Sequence, residues 1–340
     1  MQDRSAARIA FVGAGSHSTA SLYPNIAHIP QFDLVAVCDL DCDRARHAAR
    51  VFGATEAYTD VGKMLDTVGP DGVCVCGAAE MHHQVGLEVL GRGIPLFVEK
   101  PPAPNVEACR ELVRAAAATA TFGMVGFMKR YAPSNVVARQ FMQTEDFGAL
   151  SSITLMHGAG PYDDVRRMLY FNGSHMIDLA RFLAGEILTV HALIADHLPT
   201  AKAVAASFRF AGGAVGHLNM NSGGTWNDCF EQVYITGESC QVLLDGSRET
   251  RVMSPRGQFA DGQGLELFGW SNSYYVSGNM AGWTSGGHYT RGYWGELSRF
   301  SRAIVGEVSP APTLEDGLAV LEIIDAIELS AASGEVVALS

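Results

Sequence analysis

The stretch Arg8-Ile9-Ala10-Phe11-Val12-Gly13-Ala14-Gly15-Ser16-His17-Ser18 joins a short apolar run to a glycine-rich turn. An apolar run of this length is typical of a buried strand. Gly13 permits a tight turn after the strand, and Gly15 lets an anionic group approach the backbone where a helix begins. Ser18 is a small residue at the third position of this glycine pattern. The stretch therefore predicts a strand, a turn and a helix that bind the pyrophosphate of a dinucleotide.

An acidic residue follows the next apolar run. Leu34-Val35-Ala36-Val37-Cys38 has strand character and ends at Asp39. A carboxylate at that strand end can accept hydrogen bonds from both ribose hydroxyls, and its charge repels a 2′-phosphate. No arginine immediately follows Asp39, so the pattern favours NAD over NADP. The alternative interpretation is that Asp39 caps the next helix.

Strand and helix patterns then alternate along the first half of the chain. This alternation predicts a parallel, doubly wound sheet of the Rossmann type and places the domain in the α/β class. The further predicted strands lie at 72–76, 94–98 and 122–125, and the predicted helices lie at 41–52, 61–68, 81–92 and 106–118.

A lysine stands at the end of one predicted strand. Leu96-Phe97-Val98 is followed by Glu99, Lys100 and two prolines that stop the strand. Open α/β sheets bind their ligands at the carboxyl ends of the strands. A cation at that position, after a nucleotide-binding turn, predicts that Lys100 stands beside the reacting carbon of a nicotinamide-dependent reaction.

The second half of the chain has a different pattern. After Pro133 the alternation stops, and consecutive hairpins predict an α+β domain with an open, mostly antiparallel sheet. The hairpins are formed by residues 203–210, 214–221, 232–236 and 240–245. We expect residues 1–126 to form a dinucleotide-binding domain and residues 127–340 to form a substrate-binding and oligomerisation domain. The exposed face of such a sheet favours a homodimer or a homotetramer.

The composition excludes several classes of partner. The 340 residues include 24 basic and 36 acidic side chains, so the formal net charge is −12. Nucleic acids and anionic membranes both require a basic face, so neither is expected as a partner. No apolar run reaches the roughly 18 residues of a membrane span, and a first strand near Arg8 leaves no room for a signal peptide. Seven irregularly spaced cysteines indicate reduced thiols and a cytoplasmic protein.

Four motifs together resemble one family. They are Gly13-Ala14-Gly15, the strand end at Asp39, Glu99-Lys100-Pro101, and Gly126-Phe127-Met128-Lys129-Arg130-Tyr131-Ala132-Pro133. Their order and spacing resemble the glucose–fructose oxidoreductase / inositol dehydrogenase (Gfo/Idh/MocA) family of NAD(P)-dependent oxidoreductases. The resemblance implies a nicotinamide cofactor, a carbohydrate or cyclitol substrate and a cis Lys100–Pro101 peptide. One departure is Gly77-Ala78, where the family commonly has Thr-Pro before the histidine that His82 matches.

A second motif that resembles the family is Asn172-Gly173-Ser174-His175-Met176-Ile177-Asp178-Leu179. The resemblance implies that His175 faces the substrate, where a histidine suits the role of general base or acid. Lys100 can stabilise a developing alkoxide by its charge and by hydrogen bonding. Many family members carry an aspartate four residues before the histidine, but this chain has Phe171. Either the substrate presents an apolar face, or the acidic contact is unnecessary, or a polar partner comes from Asn172, Tyr170 or the Tyr162-Asp163 loop.

The predicted site residues form three groups. The catalytic residues are Lys100 and His175. The cofactor-binding residues are Gly13, Gly15, Ser16, His17, Asp39, His82, Glu99 and Lys100. The substrate-binding residues are Lys100, Arg130, Tyr162, Tyr170, Asn172 and His175. No metal is expected, because the histidines and acidic residues lack the spacing of metal ligands.

The sequence therefore predicts an NAD-dependent dehydrogenase or reductase that acts on a sugar, a sugar derivative or a cyclitol. One alternative is a glycosidase-type enzyme that oxidises C3 transiently with bound NAD⁺ and then eliminates, with Tyr162 or Tyr170 as the additional base. Another is a non-catalytic NAD(H)-binding regulator. The glycine-rich, aromatic segment 257–294 is predicted to be either a substrate lid or, alternatively, a packed surface loop or an oligomer contact.

Overall fold

The computed structural model describes residues 6–226, 229–254, 267–268, 271–275 and 289–339, with the backbone alone for 267–268 and 271–275. The chain divides into two compact units. The first comprises Met1–Met128 and Gly292–Ala319, and the second comprises Lys129–Arg291 and Val320–Ser340. Each unit has its own sheet. In the segment 257–294, Trp270, Trp283 and His288 lie outside the described residues.

The first unit is built on a parallel sheet. Its described strands are β1 Ala7–Val12, β2 Phe32–Cys38, β3 Glu56–Tyr58, β4 Gly72–Val75, β5 Leu96–Glu99 and β6 Gly123–Gly126. They lie in the order β3-β2-β1-β4-β5-β6, and every neighbouring pair is parallel. The order changes direction between β1 and β4, where doubly wound sheets bind their ligands. The predicted Rossmann fold and α/β class are confirmed.

Capping residues define the helices of the first unit. After a π-helical turn at Ser18–Leu22, the helices are α1 Tyr23–Ile26, α2 Cys42–Phe52, α3 Val61–Val68, α4 Ala79–Gly91 and α5 Val106–Ala118. At the start of α2 the side chain of Asp41 accepts hydrogen bonds from the backbone N–H groups of Asp43 and Arg44. Asp41, rather than Asp39, is therefore the cap of this helix. Gly53 ends α2 in the left-handed region at φ 85°.

The second unit contains a wider, mixed sheet. Its described strands are β7 Ser152–Gly158, β8 Ile187–Ala195, β9 Ala203–Phe210, β10 Val215–Asn221, β11 Phe230–Thr236, β12 Gln241–Asp245, β13 Glu249–Met253, β14 Leu267–Phe268, β15 Ser271–Tyr275 and β16 Val337–Ala338. Their order is β14-β15-β13-β12-β11-β7-β10-β9-β8-β16. Among these described strands β7 and β10 run parallel, and the other neighbouring pairs are antiparallel. The predicted open, mostly antiparallel sheet is confirmed.

One face of this sheet is covered by the unit's own core. Along β9 every second side chain is buried, namely Val204, Ala206, Phe208 and Phe210. The helices described in this unit are α6 Pro133–Met142, α7 Val165–Met168 and α8 Ser174–Ala184. A π-helical turn at Leu169–Gly173 joins α7 directly to α8, so residues 165–184 form one helical run.

Two further helices lie between β15 and β16 in sequence. They are α9 Tyr293–Ile304 and α10 Leu314–Ser333. Among the described residues, no helix is long and apolar enough to cross a membrane. Helix α9 belongs to the first unit, where the fully buried Phe300 lies among aromatic rings. Its ring centroid is 5.8 Å from Phe97, 6.1 Å from Phe122 and 6.3 Å from Phe32. This aromatic cluster attaches α9 to the parallel sheet.

We expect Phe300→Ala to lower the free energy of unfolding by about 3–5 kcal/mol, because it leaves a cavity beside three packed rings, of which Phe32 and Phe97 are buried. Val305→Ala is the matched control, since Val305 directly follows α9 and its side chain is exposed. The control should change stability by less than about 0.5 kcal/mol. Urea titrations followed by circular dichroism measure both effects. Equal stability of the two variants would contradict the packing described for α9.

Candidate functional site

The glycine-rich turn of the first unit contains two glycines in different surroundings. Gly13 has a φ of 103°, and a Cβ at this position would overlap the carbonyl oxygen of Cys76, the residue after β4. Its N–H donates to the carbonyl oxygen of Cys38 at 2.8 Å. Gly15 is exposed, and a Cβ there would meet no atom within 4 Å. Gly13 is therefore required by the fold, whereas Gly15 leaves bare backbone accessible to a ligand.

Asp39 lies directly beside this turn, at the end of β2. Its Oδ2 accepts the N–H of Ala14 at 2.8 Å, and its Oδ1 accepts the N–H of Asp41 at 2.9 Å. The guanidinium of Arg44 also donates to Oδ1, at 2.9 Å. Burial raises the pKa of Asp39, but these hydrogen bonds and the Arg44 charge outweigh burial and hold the pKa below its ordinary value. An ionised acceptor is therefore fixed at the strand end next to Gly13 and Gly15.

A buried carboxylate holds the start of the loop after β5. Oε2 of Glu99 accepts the backbone N–H of Lys100 at 3.1 Å, and Nε2 of His17 lies 3.5 Å from Oε1. Burial raises the pKa of Glu99, but the neighbouring groups His17, Lys100 and His82 lower it below its ordinary value. The Lys100–Pro101 peptide is cis, as the family resemblance implied. The structure thus brings His17 close to Glu99, the neighbour of Lys100, although His17 is far from both in sequence.

His82 connects two loops at the same edge of the sheet. Its Nε2 accepts the N–H of Gly77 at 2.8 Å, and its Nδ1 donates to the carbonyl oxygen of Pro101 at 2.8 Å. Burial lowers the pKa of His82 below its ordinary value, so the ring is neutral and can both donate and accept. Both ring nitrogens are engaged with backbone groups. His82 therefore positions the loop that carries Lys100 and offers no free ring nitrogen to a cofactor.

These features fit a dinucleotide. The bare backbone at Gly15 suits a pyrophosphate, and the exposed Ser16 extends the same turn. The ionised Asp39 suits two ribose hydroxyls. Lys100, at the end of β5, is only partly buried. Apart from His82, which lies in α4, the predicted cofactor-binding residues thus lie on the turns and strand ends of the first unit, where this fold binds its ligands.

In the second unit, His175 lies in the first turn of α8. On this helical run Phe171 is exposed and Asn172 and His175 are partly exposed, whereas Gly173, Ser174 and Met176 are buried. A buried ion pair holds this run in place. Asp178 is fully buried and accepts hydrogen bonds from the guanidinium of Arg130 at 2.6 and 2.9 Å. Arg130 was predicted to bind substrate, and the structure places it in this pair, where it fixes the helix that carries His175.

Tyr170 is part of a separate polar network. Its hydroxyl accepts a hydrogen bond from Arg166 at 2.8 Å, and the guanidinium carbon lies 4.8 Å from the ring centroid. Arg166 also pairs with Asp325, at 2.9 Å, and with Glu328 on α10. Burial raises the pKa of Tyr170 above its ordinary value. The tyrosine hydroxyl is therefore already engaged within the chain.

Tyr162 and Asn172 have polar atoms that the described residues leave unsatisfied. The Tyr162 hydroxyl and the Asn172 side-chain nitrogen are buried and have no hydrogen-bond partner in the part of the chain that the structure describes. Native proteins satisfy nearly all such groups, so each one calls for an explanation. The Tyr162 ring packs against Phe171, with centroids 6.5 Å apart, and edge-on against Trp226 at 4.9 Å.

A buried charged cluster was not predicted from the sequence. Nζ of Lys129 donates to both carboxylate oxygens of Glu231, at 2.6 and 2.7 Å. His157 lies opposite Glu231 in the register of β7 and β11, with its Nε2 3.9 Å from the carboxylate. Burial lowers the pKa of His157 to about 4, with the Glu231 charge opposing the shift and the Lys129 charge adding to it. The three residues lie far apart in sequence, in a 3-10 turn and two strands, so no local pattern indicates that they come together.

No group of three or more potential metal ligands occurs among the described residues. Lys100 belongs to the first unit, and His175, Asn172, Tyr170, Tyr162 and Arg130 belong to the second.

Comparison with known proteins agrees with the geometry. Residues 7–127 match the family described as "Oxidoreductase family, NAD-binding Rossmann fold". Residues 168–339 match the companion description "Oxidoreductase family, C-terminal alpha/beta domain". The chain belongs to this oxidoreductase family. The predicted membership of the glucose–fructose oxidoreductase / inositol dehydrogenase family, and the NAD-binding character of the first unit, are thereby confirmed.

Three relatives illustrate the similarity. Inositol 2-dehydrogenase 4 of Saccharopolyspora erythraea is 31% identical over 189 residues, which cover 54% of this chain and 55% of the relative. D-glucoside 3-dehydrogenase of Escherichia coli is 26% identical over 196 residues, which cover 52% and 54%. The chain thus spans about half the length of these two relatives. The crystal structure of a dehydrogenase from Chromobacterium violaceum matches 97% of this chain and 96% of its own, with 26% identity and a TM-score of 0.85.

The two glycines of the oxidoreductase turn should respond differently to alanine. We expect Gly13→Ala to lower the free energy of unfolding by about 2–3 kcal/mol, because a Cβ there is strained and overlaps a carbonyl oxygen. Gly15→Ala should change stability by less than about 0.5 kcal/mol. It should nevertheless weaken NADH binding at least about tenfold by blocking the approach of the pyrophosphate. Urea titrations and NADH fluorescence titrations measure the two effects, and wild-type affinity in Gly15→Ala would contradict this assignment.

His157 should make the folded state sensitive to acid. Its pKa is about 4 in the folded chain and 6.5 ordinarily, so between these values the unfolded chain binds a proton that the folded chain does not. Stability should therefore fall by about 3 kcal/mol as the pH drops from 6.5 to 4. His157→Gln should remove this component of the pH dependence. His191→Gln, at an exposed histidine of β8, should retain it in the same urea titrations, and equally steep loss in both variants would contradict the prediction.

Proposed function

We propose that the chain is an NAD-dependent dehydrogenase or reductase that acts on a secondary alcohol or ketone of a sugar, a sugar derivative or a cyclitol. The observation that carries the proposal is Lys100, whose backbone N–H is bound by the buried Glu99 at the end of β5 in an NAD-binding unit. His82 and Glu99 together fix the loop around this lysine. The names of the relatives, inositol 2-dehydrogenase and D-glucoside 3-dehydrogenase, support the substrate class.

The proposed chemistry assigns one role to each catalytic residue. NAD⁺, when bound, accepts the hydride that leaves the carbon of the alcohol. The ammonium group of Lys100 donates a hydrogen bond to the substrate oxygen and stabilises negative charge as it develops there. A ring nitrogen of His175 takes the hydroxyl proton in the direction of oxidation and returns it in the direction of reduction. Asp39 accepts the ribose hydroxyls, and its charge favours NAD over NADP.

The structure weighs against the glycosidase-type alternative. That reaction needs an additional base, and the candidates were Tyr162 and Tyr170. Burial raises the pKa of both tyrosines above the ordinary value, which makes them poor bases near neutral pH. The hydroxyl of Tyr170 is also held by Arg166. The alternative of a non-catalytic regulator gives no reason why two buried side chains, Glu99 and His82, fix the loop that carries Lys100.

We also propose that the protein forms a homodimer or homotetramer in the cytoplasm. Large apolar side chains, Leu193 on β8 and Val215 on β10, are exposed on the uncovered face of the second sheet. Such a face favours association between copies of the chain. The seven cysteines are free, which suits a reducing compartment.

Alanine variants of the two catalytic residues test the proposal. We expect Lys100→Ala and His175→Ala each to lower kcat by at least about 100-fold, because each removes a group that acts in proton transfer or charge stabilisation. The measurement is absorbance of NADH during oxidation of a panel of sugars and inositols. Lys63→Ala and His191→Ala, at exposed positions, are the matched controls and should keep full activity.

NADH fluorescence titration of the same variants separates catalysis from folding. His175→Ala should bind NADH as the wild type does, since His175 is not among the cofactor-binding residues. Turnover at the wild-type rate in either catalytic variant would contradict the proposed mechanism. Failure of the wild type to reduce NAD⁺ or NADP⁺ with every member of the panel would contradict the proposed function.

A further inference from the structure

We propose that Phe171, Tyr162 and Trp226 form a subsite that selects a glycoside, a sugar whose anomeric carbon carries an acetal oxygen, over a free cyclitol. The inference rests on the proposed function and specifies its substrate class. We call these three rings the aromatic subsite. One of its rings, Phe171, stands at the position where many members of the family carry an aspartate.

The first step is the position of Phe171 relative to His175. The two residues are four apart in one helical run, so they share a face of that run. Phe171 is 49% exposed, and the residues between the two that are buried, Gly173 and Ser174, point away from that face. Any substrate that reaches His175 from the accessible side of the helix therefore passes beside the ring of Phe171.

The second step is the size of the aromatic surface. Tyr162 is only 4% exposed, and its ring lies between two accessible rings, Phe171 on one side and Trp226, at 44% exposure, on the other. Large aromatic side chains are rarely left this accessible in a cluster without a binding role. The C–H face of a pyranose ring is apolar and matches such a surface, because the contact buries apolar area on both partners.

The third step is the hydrogen-bonding character of the neighbouring polar atoms. The hydroxyl of Tyr162 and the amide nitrogen of Asn172 are buried without partners among the described residues. Burial raises the pKa of Tyr162, so its hydroxyl keeps its proton and donates. The Asn172 nitrogen can only donate. Two donors match ether-type oxygens, which can only accept.

These donors distinguish a glycoside from a cyclitol. A pyranoside has a ring oxygen and a glycosidic oxygen, both of which accept hydrogen bonds and donate none. A cyclitol has no ether-type oxygen, so every group that it presents to the subsite brings a proton that needs an acceptor, whereas a pyranoside can present its ring and glycosidic oxygens there. An aspartate at position 171 would supply that acceptor, and Phe171 cannot. The aromatic subsite therefore fits the apolar face and the acetal oxygens of a glycoside.

The test compares methyl β-D-glucopyranoside with myo-inositol as probes. Binding is measured by calorimetry on NADH-loaded protein, and kcat/KM is measured for oxidation of each probe with NAD⁺. We expect the wild type to prefer the glucoside. Phe171→Leu should weaken glucoside binding and raise its KM about tenfold with little change in kcat, because it removes ring contact but leaves the helix apolar. Phe230→Leu is the matched control, since Phe230 is also 49% exposed in the second unit.

Two further variants sharpen the test. Phe171→Asp should shift the kcat/KM ratio toward myo-inositol by restoring an acceptor. Tyr162→Phe should weaken glucoside binding without lowering stability, since it removes a hydroxyl that makes no hydrogen bond to the described residues. If the Tyr162 hydroxyl had a purely structural role, Tyr162→Phe would instead lower the urea concentration at the midpoint of unfolding.

The outcomes separate the inference from the proposed function. Glucoside binding that is unchanged in Phe171→Leu, absence of glucoside binding, or a wild-type preference for myo-inositol would overturn the inference and leave the proposed function standing. Glucoside binding that depends on Phe171 would support the inference. If such binding occurs and no probe or other sugar reduces NAD⁺, the inference is retained and the proposed function fails.

Discussion

The buried carboxylate of Glu99 is the constraint around which the candidate site of the first unit is arranged. Removing an ionised carboxylate from water costs several kcal/mol unless the surrounding groups compensate. The compensation comes from the Lys100 N–H and from His17 in the glycine-rich turn. The same charge therefore ties the turn after β1 to the loop after β5, the two places where a cofactor and a reacting carbon would be bound. His82 adds a neutral link from the loop after β4.

Much of the first unit could be predicted because its central strands are continuous apolar runs. β1, β4 and β5 are buried on both faces, so their sequences carry little polar interruption. The edge strand β3, Glu56–Tyr58, was not predicted because its three residues are largely exposed and it depends on pairing with β2. The place of α9 in the first unit depends on long-range contacts of Phe300, and no local pattern contains that information.

The candidate site was predictable where the chemistry depends on adjacent residues. Glu99 and Lys100 are neighbours in sequence, so their association follows from the strand end itself. The roles of Arg130 and Tyr170 depend on distant partners, Asp178 and Arg166, which occupy both side chains inside the second unit. Sequence patterns identify residue types that can bind a substrate, but only the packing shows which of them are already bound. The Lys129–Glu231 pair is a further case, since 102 positions separate its members.

The two units supply different groups for ligand binding, the first for the cofactor and, as we propose, the second for the substrate. The first unit offers groups that suit NAD whatever the substrate, bare backbone at Gly15 and an ionised Asp39. The second unit presents His175 beside a ring that cannot accept a hydrogen bond, with donors nearby. In the proposed mechanism, an apolar surface in place of an acceptor leaves proton transfer at His175 possible but changes which oxygens a substrate can bring next to it. Selectivity then depends on the donors and acceptors of the ligand, because a buried hydroxyl left without an acceptor loses more free energy than an apolar contact gains.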